Sequence, residues 1–198
     1  VKIATGRPVL LVLAVLCLML EPLSAESPAP IREWNWIIIH HSATRVGSAA
    51  IFDAAHRARG MINGLAYHFV IDNGTDSKPD GFIETGPRWI QQMHGGHCRQ
   101  AYINEYGIGI CLVGNFSVDQ PTSKQLDSLA LLIHGLQEQF HIPDDHVLGH
   151  GDVIGEFSEC PGSQFPWDEL HKRLGTTSAP SGSAGGTNVP ARNTQAHR

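Results

Sequence analysis

The stretch Trp34-Asn35-Trp36-Ile37-Ile38-Ile39-His40-His41 constrains the fold more than any other part of the chain. Three consecutive β-branched isoleucines favour a buried strand. Successive side chains on a strand point to opposite faces. His40 and His41, at the end of that strand, therefore cannot both serve one site.

The segments that follow alternate between strand-like and helical patterns. Ser48 to Gly60 reads as a helix capped by Ser48, with Ile51 and Ala55 on one face and Gly60 as terminator. LAYHFVIDNG reads as a strand ending in an Asn73-Gly74 turn, with GFIETG as its hairpin partner. YGIGICLVGNF is a third apolar strand, its glycines permitting close approach. A longer helix opens at Pro121 with Thr122 or Ser123, and Leu126, Leu129, Ala130, Ile133, Leu136 and Phe140 mark one face. VLGHGDV is a short strand or strand end, and FPWDELHKRL a closing helix. Strands with helices between them imply an α/β fold: a single domain with a central mixed β-sheet flanked by helices.

The chain has 198 residues, 41% of them apolar and 17% charged, which suits one domain with a real core plus tails. A formal charge of −5 with no basic run argues against a nucleic-acid partner. Residues 1–25 read as a signal peptide: Lys2 and Arg7 precede an apolar run from Val9 to Leu20, and the PLSA ending at Ala25 offers a cleavage site. The run is short for a membrane span. The expected location is therefore periplasmic or secreted, with no stable membrane insertion after cleavage, and a lipoprotein at Cys17 or an uncleaved anchor is the alternative. Residues 26–33 form a linker, 34–174 the domain, and 175–198, rich in Gly, Ser, Thr and Pro, a disordered tail. A monomer is expected. The four cysteines make neither a disulfide framework nor a CxxC pair; Cys98, in a loop, and Cys111, mid-strand, are not expected to bond to each other.

Polar residues at the strand ends carry the candidate chemistry. His40 closes the first strand, His150 follows VLG, and Cys160 precedes a Pro-Gly turn. Two histidines and a cysteine suit a tetrahedral zinc site whose fourth position stays open for water, the catalytic arrangement. The same three residues are, on spacing alone, compatible with ordinary strand-end histidines and a packed cysteine.

Four segments occur in order between Trp36 and Pro166: IIIHHSAT, GLAYHFVIDNG, INEYGIGICLVGNF and LGHGDVIGEFSECPG. Through them the chain resembles the type-2 N-acetylmuramoyl-L-alanine amidases, zinc amidases that include bacteriophage amidase endolysins and peptidoglycan recognition proteins. The resemblance implies His40, His150 and Cys160 as zinc ligands and Tyr67 as the phenol that stabilises a developing oxyanion. It implies hydrolysis of the amide between N-acetylmuramic acid and L-alanine in peptidoglycan or muropeptides. Members that bind without cleaving are the alternative. His97 resembles a histidine beside the substrate groove and is a candidate for both substrate binding and catalysis. Asn104 matches a groove asparagine, with Ile103 in place of its tyrosine neighbour. The position of the glutamate that serves some members as general base is Cys111, and that of a lysine used by others is Ser158. His56 and His68 are expected to be structural, and His41 to form a structural hydrogen bond. Asp152 either orients His150 or caps the following turn.

Overall fold

An isoleucine run with no polar alternation needs cover on both faces of its sheet. The computed structural model describes residues 31–175 and places that run centrally. The expected signal peptide, most of the linker and the tail beyond Gly175 lie outside these residues. Strand β1 (Trp36–His41) lies between β4 (Gly107–Leu112) and β5 (Val147–Gly149), parallel to both. β2 (Phe69–Asn73) runs parallel to β4 on its other side, and β3 (Asp80–Thr85) closes that edge antiparallel to β2. The resulting order is β3-β2-β4-β1-β5, one mixed sheet of five strands with helices around it.

One face of the sheet packs against α4 (Ser123–Phe140) and α5 (Trp167–Leu174). Ile37, Ile39, Ile71, Ile110 and Leu112 meet Leu126, Leu129, Ile133 and Leu136 there in a single apolar cluster. Thr122 caps α4 through a capping box with Gln125, which satisfies amide groups at the helix start. Gln125 is itself buried, and its Nε2 donates to the carbonyls of Ile71 (3.1 Å) and Val113 (2.9 Å). The helix start is thereby tied to the ends of β2 and β4.

The other face is covered by α1 (Ala49–Ala58) and by loops. Its apolar residues divide into two smaller clusters, one with Phe52, Val70 and Cys111, the other with Trp36, Ile38 and Ile103. Ser48 caps α1 as expected, its side chain accepting from Ile51 N. The buried positions of α1 are Phe52 and His56, however, whereas Ile51 and Ala55 are exposed. The inward stripe is displaced by one residue because Phe52 fills the space over Gly47, where an added Cβ would meet its ring at 2.3 Å.

Two other expectations need correction. Asn73 does not enter a two-residue turn but pairs with Asp80 across a loop of residues 74–79. Its side chain accepts from Thr75 Oγ1 and donates to the carbonyl of Arg45, so it organises a wider connection. Two short helices were not read from the sequence, α2 (Pro87–Ile90) and α3 (Ala101–Tyr106). Neither is long enough to display a period. Among the described residues, no helix is long and apolar enough to cross a membrane.

Candidate metal centre

β1 delivers His40 to the loop-covered face, because Ile37 and Ile39 occupy the alternate positions facing α4. His40 is 2% exposed. β5 ends one residue before His150, which opens a 3₁₀ turn (His150–Asp152). The rings of His40 and His150 lie 4.6 Å apart between centroids. Cys160 Sγ lies 3.8 Å from Nδ1 of His40 and accepts the backbone N–H of His41 at 3.3 Å. One donor atom from each of His40, His150 and Cys160 falls within 4.8 Å of the others.

The chain holds this trio from two directions. Gly151 N donates to Cys160 O at 2.7 Å, joining the turn of His150 to the loop of Cys160. After Pro161, Gly162 adopts φ +107°, with its Cα so close to Phe116 that a Cβ would lie 2.3 Å from that backbone. Only glycine fits such a conformation and approach without displacement. The Pro-Gly pair thus presses the cysteine loop onto the segment that follows β4.

Burial sets the protonation states. It lowers the pKa of His40 well below the ordinary histidine value, and the neighbouring His97, His150 and His41 add to the effect. The ring is neutral, the form in which imidazole has a lone pair for a metal. Burial pushes the Cys160 thiol up to about 11, against the opposing pull of the His41 N–H. A metal would have to displace the thiol proton, which couples binding to pH. Donor identity and proximity fit zinc, which takes thiolate and imidazole ligands.

Tyr67 lies in the extended segment that enters β2, its ring 5.1 Å from that of His40. Burial raises its pKa well above 10, and the adjacent thiols of Cys111 and Cys160 raise it further. It remains a phenol and a hydrogen-bond donor. Cys111 is fully buried beside it, and burial holds this thiol protonated as well.

His97 is only 7% exposed, underneath His40 rather than at a rim. Its Nδ1 is 3.1 Å from Nε2 of His40 and its Nε2 is 3.3 Å from the Gly107 carbonyl. A carbonyl only accepts, so Nε2 of His97 carries hydrogen and Nδ1 accepts from His40. That leaves Nδ1 of His40, the nitrogen nearest Cys160, with the free lone pair. Glycines make room for the His97 ring. A Cβ at Gly109 of β4 would sit 2.4 Å from His97 Cδ2, and one at Gly95 2.5 Å from it.

The remaining expected residues fall around this centre. Asn104 is not brought to the trio: its Oδ1 accepts from His97 N and Cys98 N, and its Nδ2 donates to Cys98 O. Its amide shapes the loop that carries His97. Ser158 Oγ accepts from Cys160 N at 3.1 Å, inside the cysteine turn. Asp152 Oδ2 accepts from Gly149 N, capping the 3₁₀ turn. His41 faces away from the trio and accepts from Phe116 N at 3.0 Å. His56 accepts from Ala66 N, and His68 accepts from Gly109 N. Cys98, Cys111 and Cys160 are all free thiols.

Glu156 was missed by sequence reasoning. Its Oε2 is 3.1 Å from Nε2 of His150, six residues away, whereas the sequence points to the nearer Asp152. The available signal was a lone acid in an otherwise apolar and small stretch, VIGEF. Beside Cys160, an open hollow of about 440 Å³ is lined by Gly151, Ser158, Glu159 and Trp167.

Comparison with known proteins bears on the family and the fold. The chain is 34% identical over 160 residues to a peptidoglycan recognition protein of Trichoplusia ni, covering 77% of this chain and 81% of that one. It superposes on the N-acetylmuramoyl-L-alanine amidase LysC of Clostridium intestinale with a TM-score of 0.61 at 29% identity, over 77% of this chain and 94% of that one. Human PGRP-IBETAC, solved in complex with a glycosamyl muramyl pentapeptide, shares the fold at 20% identity, with a TM-score of 0.57 over 74% of this chain and 87% of that one. Residues 30–163 match the family described as N-acetylmuramoyl-L-alanine amidase, and the chain belongs to that family.

Proposed function

We propose that this protein is a zinc-dependent amidase that hydrolyses the amide between the lactyl group of N-acetylmuramic acid and L-alanine in peptidoglycan or its fragments. The observation that carries the reading is the convergence of His40, His150 and Cys160, from three separate segments, to within 4.8 Å. These three residues would hold zinc. When bound, the metal polarises a carbonyl and lowers the pKa of a water molecule.

The chain's own groups supply the rest. The neutral His40 ring offers Nδ1, while its other nitrogen is occupied by His97. Tyr67, kept protonated by burial, donates a hydrogen bond to the substrate carbonyl oxygen as that oxygen gains charge. Export is part of the same proposal, supported by Lys2, Arg7 and the apolar run from Val9 to Leu20.

A second reading, binding without hydrolysis, has one observation in its favour. The family's glutamate and lysine positions hold a buried thiol, Cys111, and a turn-bound hydroxyl, Ser158, so neither supplies a basic group. Digestion of cell walls and soluble muropeptides separates the two. Release of stem peptides that stops with a chelator and returns with added zinc is expected. Wall binding with no released peptide at any zinc concentration would establish the second reading instead.

A further inference from the structure

The Glu156 side chain is 1% exposed, yet the resemblance implies no role for it. Its Oε1 accepts the backbone N–H groups of Arg99 (2.5 Å) and Gln100 (3.0 Å), just before α3. Its Oε2 faces Nε2 of His150 at 3.1 Å. One carboxylate therefore joins the loop of His97 to the turn of His150.

We propose that Glu156 is a positioning residue that locks His150 in its Nε2–H tautomer, leaving Nδ1 as the nitrogen offered to a metal. This rests on the zinc reading above. Backbone N–H groups only donate, so two of them fix Oε1 as an acceptor and leave Oε2 alone to face the ring. A carboxylate oxygen so held accepts, which places the donor on Nε2 of His150. A neutral imidazole with hydrogen on one nitrogen has its lone pair on the other. Carboxylates placed behind metal-binding histidines fix the ring and raise its basicity. The two candidate ligand histidines are thus both held from behind, His150 by a carboxylate and His40 by the His97 ring.

The same atoms allow a competing arrangement. Donor atoms of Cys98, His150 and Glu156 also lie within 4.8 Å of one another, which would suit a second metal. It is disfavoured because Oε1 of Glu156 already accepts two backbone N–H groups that hold the carboxylate against the loop of His97.

Glu156→Gln and Glu156→Ala separate a tautomer lock from plain structural support. In the Gln variant the Arg99 and Gln100 amides pin the side-chain carbonyl, which turns its NH₂ toward Nε2 of His150. The ring must accept there and carry its proton on Nδ1. In the Ala variant neither tautomer is imposed. Gln should therefore harm zinc binding more than Ala, whereas structural support alone ranks the isosteric Gln as the milder change.

Two measurements decide it. Long-range ¹H–¹⁵N spectra of zinc-free protein should show Nε2–H for His150 in the wild type and Nδ1–H in Glu156→Gln. Chelator competition should show zinc affinity falling about 10- to 100-fold in Glu156→Gln and less in Glu156→Ala. An Nδ1–H tautomer in the wild type overturns the proposal, and this test stands even where a variant does not fold. Equal or tighter zinc binding by Gln than by Ala overturns it too. So does a second zinc equivalent per chain that both variants lose. A wild type that binds no zinc would remove the reading underneath, while the tautomer, read without metal, still reports on Glu156 itself.

Discussion

The two faces of the sheet bury side chains to the same depth and do opposite things with them. Against α4 and α5 the sheet presents isoleucine, leucine and phenylalanine, and the helices return leucine and isoleucine in one continuous cluster. On the other face, His40, Asp72, His97 and Cys111 are buried among two small apolar groups. A buried polar group costs free energy unless it is hydrogen-bonded. The first face avoids most of that cost by composition, its buried Gln125 being bonded to two carbonyls, and the second meets most of it with named partners. The difference teaches that one side of this sheet stabilises the molecule while the other holds buried titratable groups in their uncharged forms.

Four changes would break or sharpen that division, beginning with the largest effect. Cys160→Ala removes a donor from the trio and should bring zinc binding and stem-peptide release to background, with the fold retained by circular dichroism. Retention of both zinc and activity would overturn the ligand assignment. Leu129→Ala, in the continuous core, should lower unfolding free energy by about 2–5 kcal/mol in denaturant titration. Its zinc affinity should stay at the wild-type value, and a parallel loss would show that the faces are not separable.

Tyr67→Phe should do the reverse. Turnover is expected to fall about 10²- to 10³-fold, the size of losing one oxyanion donor, with stability and zinc affinity little changed. Unaltered turnover would sink the role assigned to the phenol.

Asp72 gives the smallest effect and the clearest sign. Neither of its carboxylate oxygens has a donor among the described residues. Burial, reinforced by the nearby Glu84, raises its pKa to about 7. The unfolded value is about 3.9. A carboxyl that holds its proton more tightly when folded contributes stability that is complete below about pH 3.9 and lost as pH rises toward 7. Asp72→Asn should remove that loss. The variant should gain about 1–3 kcal/mol over the wild type at pH 8 and nothing near pH 4, read from melting at the two pH values. Parallel stability profiles for the two proteins would contradict the assignment.

Much of the first face was legible in the sequence. The β-branched runs of β1 and β4 and the capped, periodic α4 each announce themselves locally, because their burial repeats along a single element. The trio of His40, His150 and Cys160 was reachable through ordered motifs, although spacing alone left it open. The supporting parts of the second face were not legible. Glu156 acts on an amide pair more than fifty residues away, and Gln125 reaches two strand ends from a helix whose apolar stripe gives no hint of it. α3 buries only Ile103, so it presents no period to read. His97 resembled a groove residue because motif position carries no information about depth. Such contacts depend on how elements meet, and no single element encodes that meeting.

Gly109 shows what a sheet gives up to seat a ring behind it. It sits in the middle of a fully buried strand, where a β-branched residue would favour the extended backbone more strongly. A single methyl there would strike the His97 ring. The chain forgoes local strand preference at that point, and the vacated volume becomes the seat of the imidazole that steadies His40. Gly109→Ala is therefore a change that leaves every candidate ligand in place, yet reaches the candidate metal centre by crowding the ring behind it.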